Sequence, residues 1–150
     1  MKLKLPPALI FVIFGGFMYL LDLLLPVGEF QFFGRFWIIQ ILTVLAALIG
    51  CLSLFQFIKA KTTIDPFSPS KSTHLVTSGV YKISRNPMYL ALLMLLLAFG
   101  LWLGNVFNML LAAGFVSNIN TFQIIPEEKA LVKLFGNEYQ QYCIQVRRWF

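Results

Sequence analysis

The chain has 150 residues, of which 59% are apolar, 16% aromatic and only 12% charged, and its formal net charge is +6. A soluble domain carries about twice that charged fraction, so the composition excludes an ordinary soluble domain, a disordered segment and a disulfide-stapled secreted module, and leaves an integral membrane protein. The positive charge belongs to membrane topology rather than to nucleic acid, because a nucleic-acid binder carries its basic face on a soluble body.

Four apolar stretches approach the roughly 17–25 residues that cross about 30 Å of hydrocarbon, and in lipid such spans are helices. The first, residues 8–25, is interrupted only by Asp22. Lys2 and Lys4 ahead of it resemble the flank of a signal peptide, but no small-residue cleavage site follows, so it reads as a retained span. The second, residues 36–58, has no formal charge.

Residues 59–87 form the first segment long enough for chemistry. It begins with two turn-forming pairs, Asp65-Pro66 and Ser68-Pro69. Its second half is too apolar for a free linker, and Leu75, Val76, Val80, Tyr81 and Ile83 need a surface to dock on. His74 is the only histidine. With no HExxH, CxxC or second histidine beside it, no metal site is expected. It reads first as a solvated or structural loop residue, with a ligand contact as the alternative. Ser78-Gly79-Val80 carries no signature by itself.

Asn86-Pro87 starts the third stretch, residues 88–103, with proline in a favoured first-turn position. Only Gly104 and Asn105 separate it from the fourth, residues 106–125, so the pair reads as a tight helical hairpin. On the fourth stretch Ser117, Asn120, Gln123 and Glu127 step by three, three and four, and so share one α-helical face leading to the charged boundary. Spacing leaves two readings open: interhelical hydrogen-bonding glue, or the wall of a wet pocket.

The remaining residues, 126–150, open with Pro126-Glu127-Glu128, a helix start whose acids offset the N-terminal dipole. Ala130, Leu131, Leu134, Phe135, Tyr142 and Val146 recur at helical spacing, and Gly136 predicts a break into two shorter helices. The product is an amphipathic tail lying at the membrane interface or against the spans, with Trp149 and Phe150 suited to the headgroup zone.

With four spans both termini share one side. That side holds Lys2, Lys4, Lys59, Lys61, Lys71, Lys82, Arg85, Lys129, Lys133, Arg147 and Arg148, against Arg35 alone on the other. The basic bias makes both termini, the 59–87 segment and the tail cytoplasmic. Cys51, inside a span, and Cys143, in the tail, lie at different depths in a reducing compartment, so no disulfide is expected. The expected fold is therefore one all-α membrane domain of four transmembrane helices with a cytoplasmic helical tail. Arg85 and Glu127 mark the same mouth of the hairpin. Each alone reads as a topology anchor or a helix-start acid, but together a cation and an anion at the edge of lipid suit a charged ligand.

The run Leu75-Val76-Thr77-Ser78-Gly79-Val80-Tyr81 followed by Ser84-Arg85-Asn86-Pro87-Met88-Tyr89 resembles the isoprenylcysteine carboxyl methyltransferases, and so do Pro126-Glu127-Glu128, Leu131, Phe135-Gly136, Tyr139, Tyr142 and Val146-Arg147-Arg148. The related phospholipid methyltransferases share a similar core. The likeness covers roughly residues 62–150, hairpin included. It implies S-adenosylmethionine as cofactor, bound between the hairpin and the C-terminal segment, and a lipid-like substrate reaching the cytoplasmic face from the bilayer. By position it assigns Thr73, His74, Leu75, Val76, Tyr81, Asn86, Pro87, Met88, Tyr89 and Glu127 to cofactor binding, with Glu127 on the cofactor's amino group. Asn86 stands where the family usually has histidine. The family's substrate-orienting arginine, four residues before the acid, falls on Gln123, which brings no charge and points away from a prenylcysteine carboxylate. Arg85, Asn86 and Gln123 are the catalytic candidates.

A methylsulfonium is already a strong electrophile, so such an enzyme mainly aligns nucleophile, methyl group and leaving sulfur. A carboxylate acceptor needs no base. An amine acceptor does, and His74 or Glu127 would serve. The alternatives are thus a carboxyl O-methyltransferase, a phospholipid amine N-methyltransferase, and a small non-catalytic membrane protein whose polar stripe only packs helices.

Overall fold

The computed structural model describes residues 5–25, 28, 30–59 and 75–150. Thr73, His74 and the Asp65-Pro66 and Ser68-Pro69 pairs lie outside the described residues. Six α-helices follow in order: α1 (Pro7–Leu24), α2 (Arg35–Lys59), α3 (Pro87–Leu103), α4 (Asn108–Ile119), α5 (Ile125–Phe135) and α6 (Asn137–Gln145). A 3₁₀ turn at Gly79–Lys82 precedes α3, and a π-helical turn at Asn120–Ile124 joins α4 to α5.

Among the described residues three helical rods are long and apolar enough to cross a membrane: α1, α2 and the continuous rod Asn108–Phe135. At 17 residues α3 is about 25 Å long, a little under the hydrocarbon thickness. Pro7 and Pro87 both sit in a first helical turn, where their missing N–H groups leave no bond unmade.

The sequence marks a boundary between residues 125 and 126, but the helix runs through it. Pro126 cannot donate to a carbonyl one turn back, and its ring crowds that carbonyl in a regular α-helix. The wider π turn immediately before it absorbs the irregularity, with Ile125 N–H bonded to the Asn120 carbonyl. The break comes at Gly136, where φ is +54° and α6 turns away from α5.

Small residues bring α2 against α3: Ala46 and Ser53 are buried, and a Cβ on Gly50 would lie 3.6 Å from the Ala91 Cβ. On the other flank α1 packs on α3 and α4 through Ile10, Met18, Leu96, Phe115 and Ile119. The Phe14 and Phe115 rings meet edge to face at 5.7 Å. Outward, α1 and α2 present bare apolar side chains such as Phe17, Leu24, Phe36 and Trp37, which suits a lipid environment.

The α3–α4 turn is closed by its own polar groups. Gly104 caps α3 with φ +85°, its N–H bonded to the Gly100 carbonyl at 3.1 Å. A Cβ there would lie 2.9 Å from Arg35 Nη1, so the position takes glycine for both conformation and space. Asn105 is fully buried; its amide donates to the Leu25 carbonyl at 2.9 Å and accepts from Phe107 N–H at 3.0 Å. Arg35 reaches over to donate to the carbonyls of Phe30 and Trp102.

Candidate active site

At the opposite end of the hairpin the chain after residue 75 folds back onto α2 through a small aromatic core. Gly79 has φ +60°, and a Cβ there would collide with the Gln56 amide. That amide, nitrogen toward Ser78, donates to its carbonyl at 2.9 Å and accepts from Val80 N–H at 3.3 Å. Glycine in the Ser78-Gly79-Val80 run thus lets the loop sit against α2. The following 3₁₀ turn buries Tyr81, whose hydroxyl lies 3.3 Å from Ser53 Oγ and whose ring stands edge-on to Phe57 at 5.4 Å. From α6, Tyr142 donates to the Tyr81 carbonyl at 2.6 Å, and Tyr139 and Val146 complete the cluster.

Burial pushes the Tyr81 hydroxyl up to about 12, against a smaller opposing effect of the Ser53 hydrogen bond. Burial also raises Tyr139 and Tyr142. All three are neutral hydroxyls at physiological pH.

The chain beyond α6 returns across the mouth of the hairpin. Arg85 N–H donates to the Arg147 carbonyl, while Ser84 Oγ and Asn86 Nδ2 both donate to the Arg148 carbonyl, the latter at 3.0 Å. The Arg148 side chain holds Glu128 in two bonds, Nε to Oε1 at 3.1 Å and Nη2 to Oε2 at 2.6 Å. Those bonds hold the Arg148 guanidinium more firmly protonated than usual. Arg85 Nη1 lies 3.3 Å from Glu128 Oε1 and also donates to Cys143 Sγ. Glu127, one residue earlier, accepts from Tyr89 Oη at 2.7 Å.

These groups surround a cavity of about 630 Å³, within the range of small-molecule sites. It runs from Ala46 and Leu95, midway along α2 and α3, to Glu127, Tyr139 and Tyr142. One half is walled by Ala47, Gly50, Cys51, Leu54, Leu92 and Leu95, and the other carries Arg85, Glu127, Glu128, Tyr81, Tyr89, Tyr139 and Tyr142 among further apolar side chains. An apolar chain and a charged head would each find a matching half.

Of the residues singled out from the sequence, Leu75, Val76, Tyr81, Arg85, Asn86, Pro87, Met88, Tyr89 and Glu127 all line this cavity. Gln123 does not. It is fully buried in the π turn, and its amide donates to the Leu5 carbonyl at 2.6 Å, tying the rod to the start of α1. The polar stripe therefore splits. Ser117 faces outward, Asn120 accepts from the Trp149 indole at 3.1 Å, Gln123 holds α1, and Glu127 alone reaches the cavity. Glue and pocket are both present, on successive turns. Thr73 and His74 lie outside the described residues. On α5 and α6 four lining residues went unassigned in the sequence reading: Glu128, Leu131, Tyr139 and Tyr142. The Glu127-Glu128 pair and the three-residue step between the tyrosines on α6 were the available signals. Among the described residues no group of three or more His, Cys, Asp or Glu is placed to hold a metal ion.

Comparison with known proteins adds a family to this geometry. The profile of the phospholipid methyltransferases matches residues 35–138. A protein of Haemophilus influenzae, described as uncharacterized, is 52% identical over 62 residues, which is 41% of this chain and 98% of that protein. No solved structure matches.

Proposed function

The chain belongs to the phospholipid methyltransferase family, and from that premise we propose that it transfers a methyl group from S-adenosylmethionine to a lipid-like acceptor at the cytoplasmic face of a membrane. The observation that carries this reading is the cavity itself. It joins the 75–89 block to the Glu127–Tyr142 block, and it places an apolar half and a charged half end to end. The proposed topology is four spans with both termini cytoplasmic, which sets the charged half at the headgroup level.

The residues present fit the cofactor on one feature in particular. Arg85 Nε is a buried donor with no partner among the described residues, on the wall of a cavity that also carries Glu127. When bound, the cofactor supplies an electrophilic methyl on a sulfonium. Leu75, Val76, Tyr81, Pro87, Met88 and Tyr89 would hold it, Glu127 would face its ammonium, and Asn86, fixed by Arg148, would orient the reacting end. The neutral tyrosine hydroxyls donate and accept hydrogen bonds without adding charge. The apolar half excludes water and aligns the acceptor's chain, so alignment accounts for most of the rate.

Between acceptor classes, the lining favours an amine. Among the described lining residues Arg85 is the one cation, already paired with Glu128, whereas Glu127 and Glu128 bring two carboxylates to the wall. A carboxylate acceptor would meet those two acids without the help of Gln123, which is occupied elsewhere. The test is transfer of radiolabelled methyl from S-adenosylmethionine to membrane lipids by the purified protein. Label that stays on a non-volatile amine headgroup after mild alkali marks an N-methylamine. Label released as methanol marks a methyl ester and would return the acceptor to the carboxylate class. No incorporation into any lipid would favour the non-catalytic alternative.

A further inference from the structure

Past α6 the chain leaves through an extended Val146 and crosses the mouth of the hairpin as a short strap, residues 146–150. It is tied down at separate elements. The Arg85 N–H donates to the Arg147 carbonyl at 3.0 Å, and Ser84 Oγ and Asn86 Nδ2 donate to the Arg148 carbonyl at 3.3 and 3.0 Å. The Arg148 guanidinium grips Glu128 on α5. One residue further, the Trp149 indole donates to Asn120 Oδ1 at 3.1 Å, and its ring packs on the core shared by α1, α3 and α4. Asn120 opens the π turn, so the widened helix and the strap are joined at Trp149.

The strap also sets the sense of an amide. A main-chain carbonyl only accepts, so Asn86 meets Arg148 with its nitrogen. Asn86 lines the cavity, and the end of its amide turned from the strap is the oxygen. Its backbone N–H is held by Ser84 Oγ at 3.1 Å, and Ser84 is 1% exposed, so the turn that carries Asn86 is fixed from behind. An amide oxygen accepts hydrogen bonds and donates none. It pairs with the N–H of an amine and leaves a carboxylate, whose oxygens also only accept, unmatched. Released from the strap, the side chain would be free to turn over and offer its nitrogen instead.

We propose that Trp149 is a positioning residue for the reaction. Its bond to Asn120 latches the 146–150 strap, the Arg148 carbonyl then holds the Asn86 amide oxygen toward the cavity, and that oxygen orients an amine methyl acceptor through its N–H. This rests on the methyl-transfer reading above and deepens its choice of acceptor class. Trp149 touches neither reactant and acts through Arg148 and Asn86. It lies beyond the residues that the family profile matches, and its contacts alone point to the role.

The latch is tested in full-length protein in detergent with Trp149→Phe, which keeps an apolar ring and loses the indole N–H, with Asn120→Ala, and with both together. Amide hydrogen exchange over residues 84–86 reports the strap without any reaction, because the Arg85 N–H is bonded to the Arg147 carbonyl. Each single variant should speed that exchange about tenfold, and the double variant no further, as for one shared bond. The kcat/KM for methyl transfer to an amine lipid should fall about tenfold in step, and likewise in Asn86→Ala. Calorimetric affinity of Trp149→Phe for S-adenosylhomocysteine should stay the same. Unchanged exchange in Trp149→Phe, or additive effects in the double variant, would overturn the latch. So would faster exchange along all the helices with a lowered melting temperature, since Trp149 would then serve only the core. Methyl ester formation by the wild-type protein would overturn the role given to the Asn86 oxygen. Wild-type protein that transfers no methyl group would instead remove the methyl-transfer reading itself, and exchange at Arg85 would still decide the latch.

Discussion

The two ends of the α3–α4 hairpin are built from different bonds. At the Gly104 end Arg35 Nη1 and Nη2 and the Asn105 amide donate to main-chain carbonyls of Phe30, Trp102 and Leu25, and glycine closes the turn. Main chain is satisfied by side chains, and the end is shut. At the Pro87 end side chains also pair with one another, Arg85 and Arg148 on Glu128 and Tyr89 on Glu127, beside side-chain bonds to the main chain such as Tyr142 to the Tyr81 carbonyl. Side chains bridging separate segments hold a gap open, and there the cavity lies. At the first end polar groups close the turn; at the second they line the cavity.

The sharpest break of this contrast is at Glu128. Glu128→Ala leaves Arg85 largely buried without its carboxylate, and removal of one partner from such a pair costs about 3 kcal/mol. Both melting temperature and cofactor affinity should fall. If only affinity falls, the Arg85–Glu128–Arg148 cluster is not part of the scaffold.

Glu127→Gln should separate binding from stability. Loss of a charge partner for the cofactor's ammonium should weaken cofactor binding by about 2 kcal/mol, while melting without ligand stays near wild type because an amide still accepts from Tyr89. A lowered melting temperature with unchanged affinity would make Glu127 a helix-start acid and nothing more.

The Gly104 end should show the reverse pattern. Gly104→Ala forces a Cβ into a left-handed conformation beside Arg35 and should cost about 1–2 kcal/mol of stability. Cofactor affinity of the folded protein should not move. A large affinity loss would mean the two ends are coupled along α3.

The smallest effect is on pH. Tyr81 is pushed from its ordinary 10 up to about 12, and Tyr139 and Tyr142 move the same way. The folded state therefore holds these protons more tightly than the unfolded chain. Their contribution is fully present below pH 10 and is lost as pH rises from 10 toward 12. Phenolate absorbance should lag behind that of free tyrosine, and the 75–89 segment should release from α2 in that window. Normal titration of all the tyrosines would contradict the buried aromatic cluster.

Much of this contrast was legible beforehand, for reasons particular residues make clear. Apolar runs bounded by Pro87 and Gly104 give helix ends within a residue or two, because proline and glycine act locally. Nine of the residues assigned from motif blocks line one cavity, since those blocks are short and bracket a tight hairpin. What failed to show was phase. An α-helical count puts Ser117, Asn120, Gln123 and Glu127 on one face, but the π turn at Asn120–Ile124 holds an extra residue and shifts everything after it by about 100°. Gln123 accordingly points to Leu5, and Glu128 joins Glu127 at the cavity. A single-residue bulge leaves almost no trace in composition. Contacts that depend on the returning tail, such as Arg148 with Glu128 and Trp149 with Asn120, join residues at least 20 apart and have no local signature.

The most direct test of the central claim is calorimetric titration of the purified wild-type protein in detergent with S-adenosylmethionine. The account predicts saturable binding at one site per chain, weakened in Glu127→Gln and retained in Gly104→Ala. Absence of heat at millimolar cofactor from correctly folded protein would contradict it, and the cavity at the Pro87 end would then need another occupant.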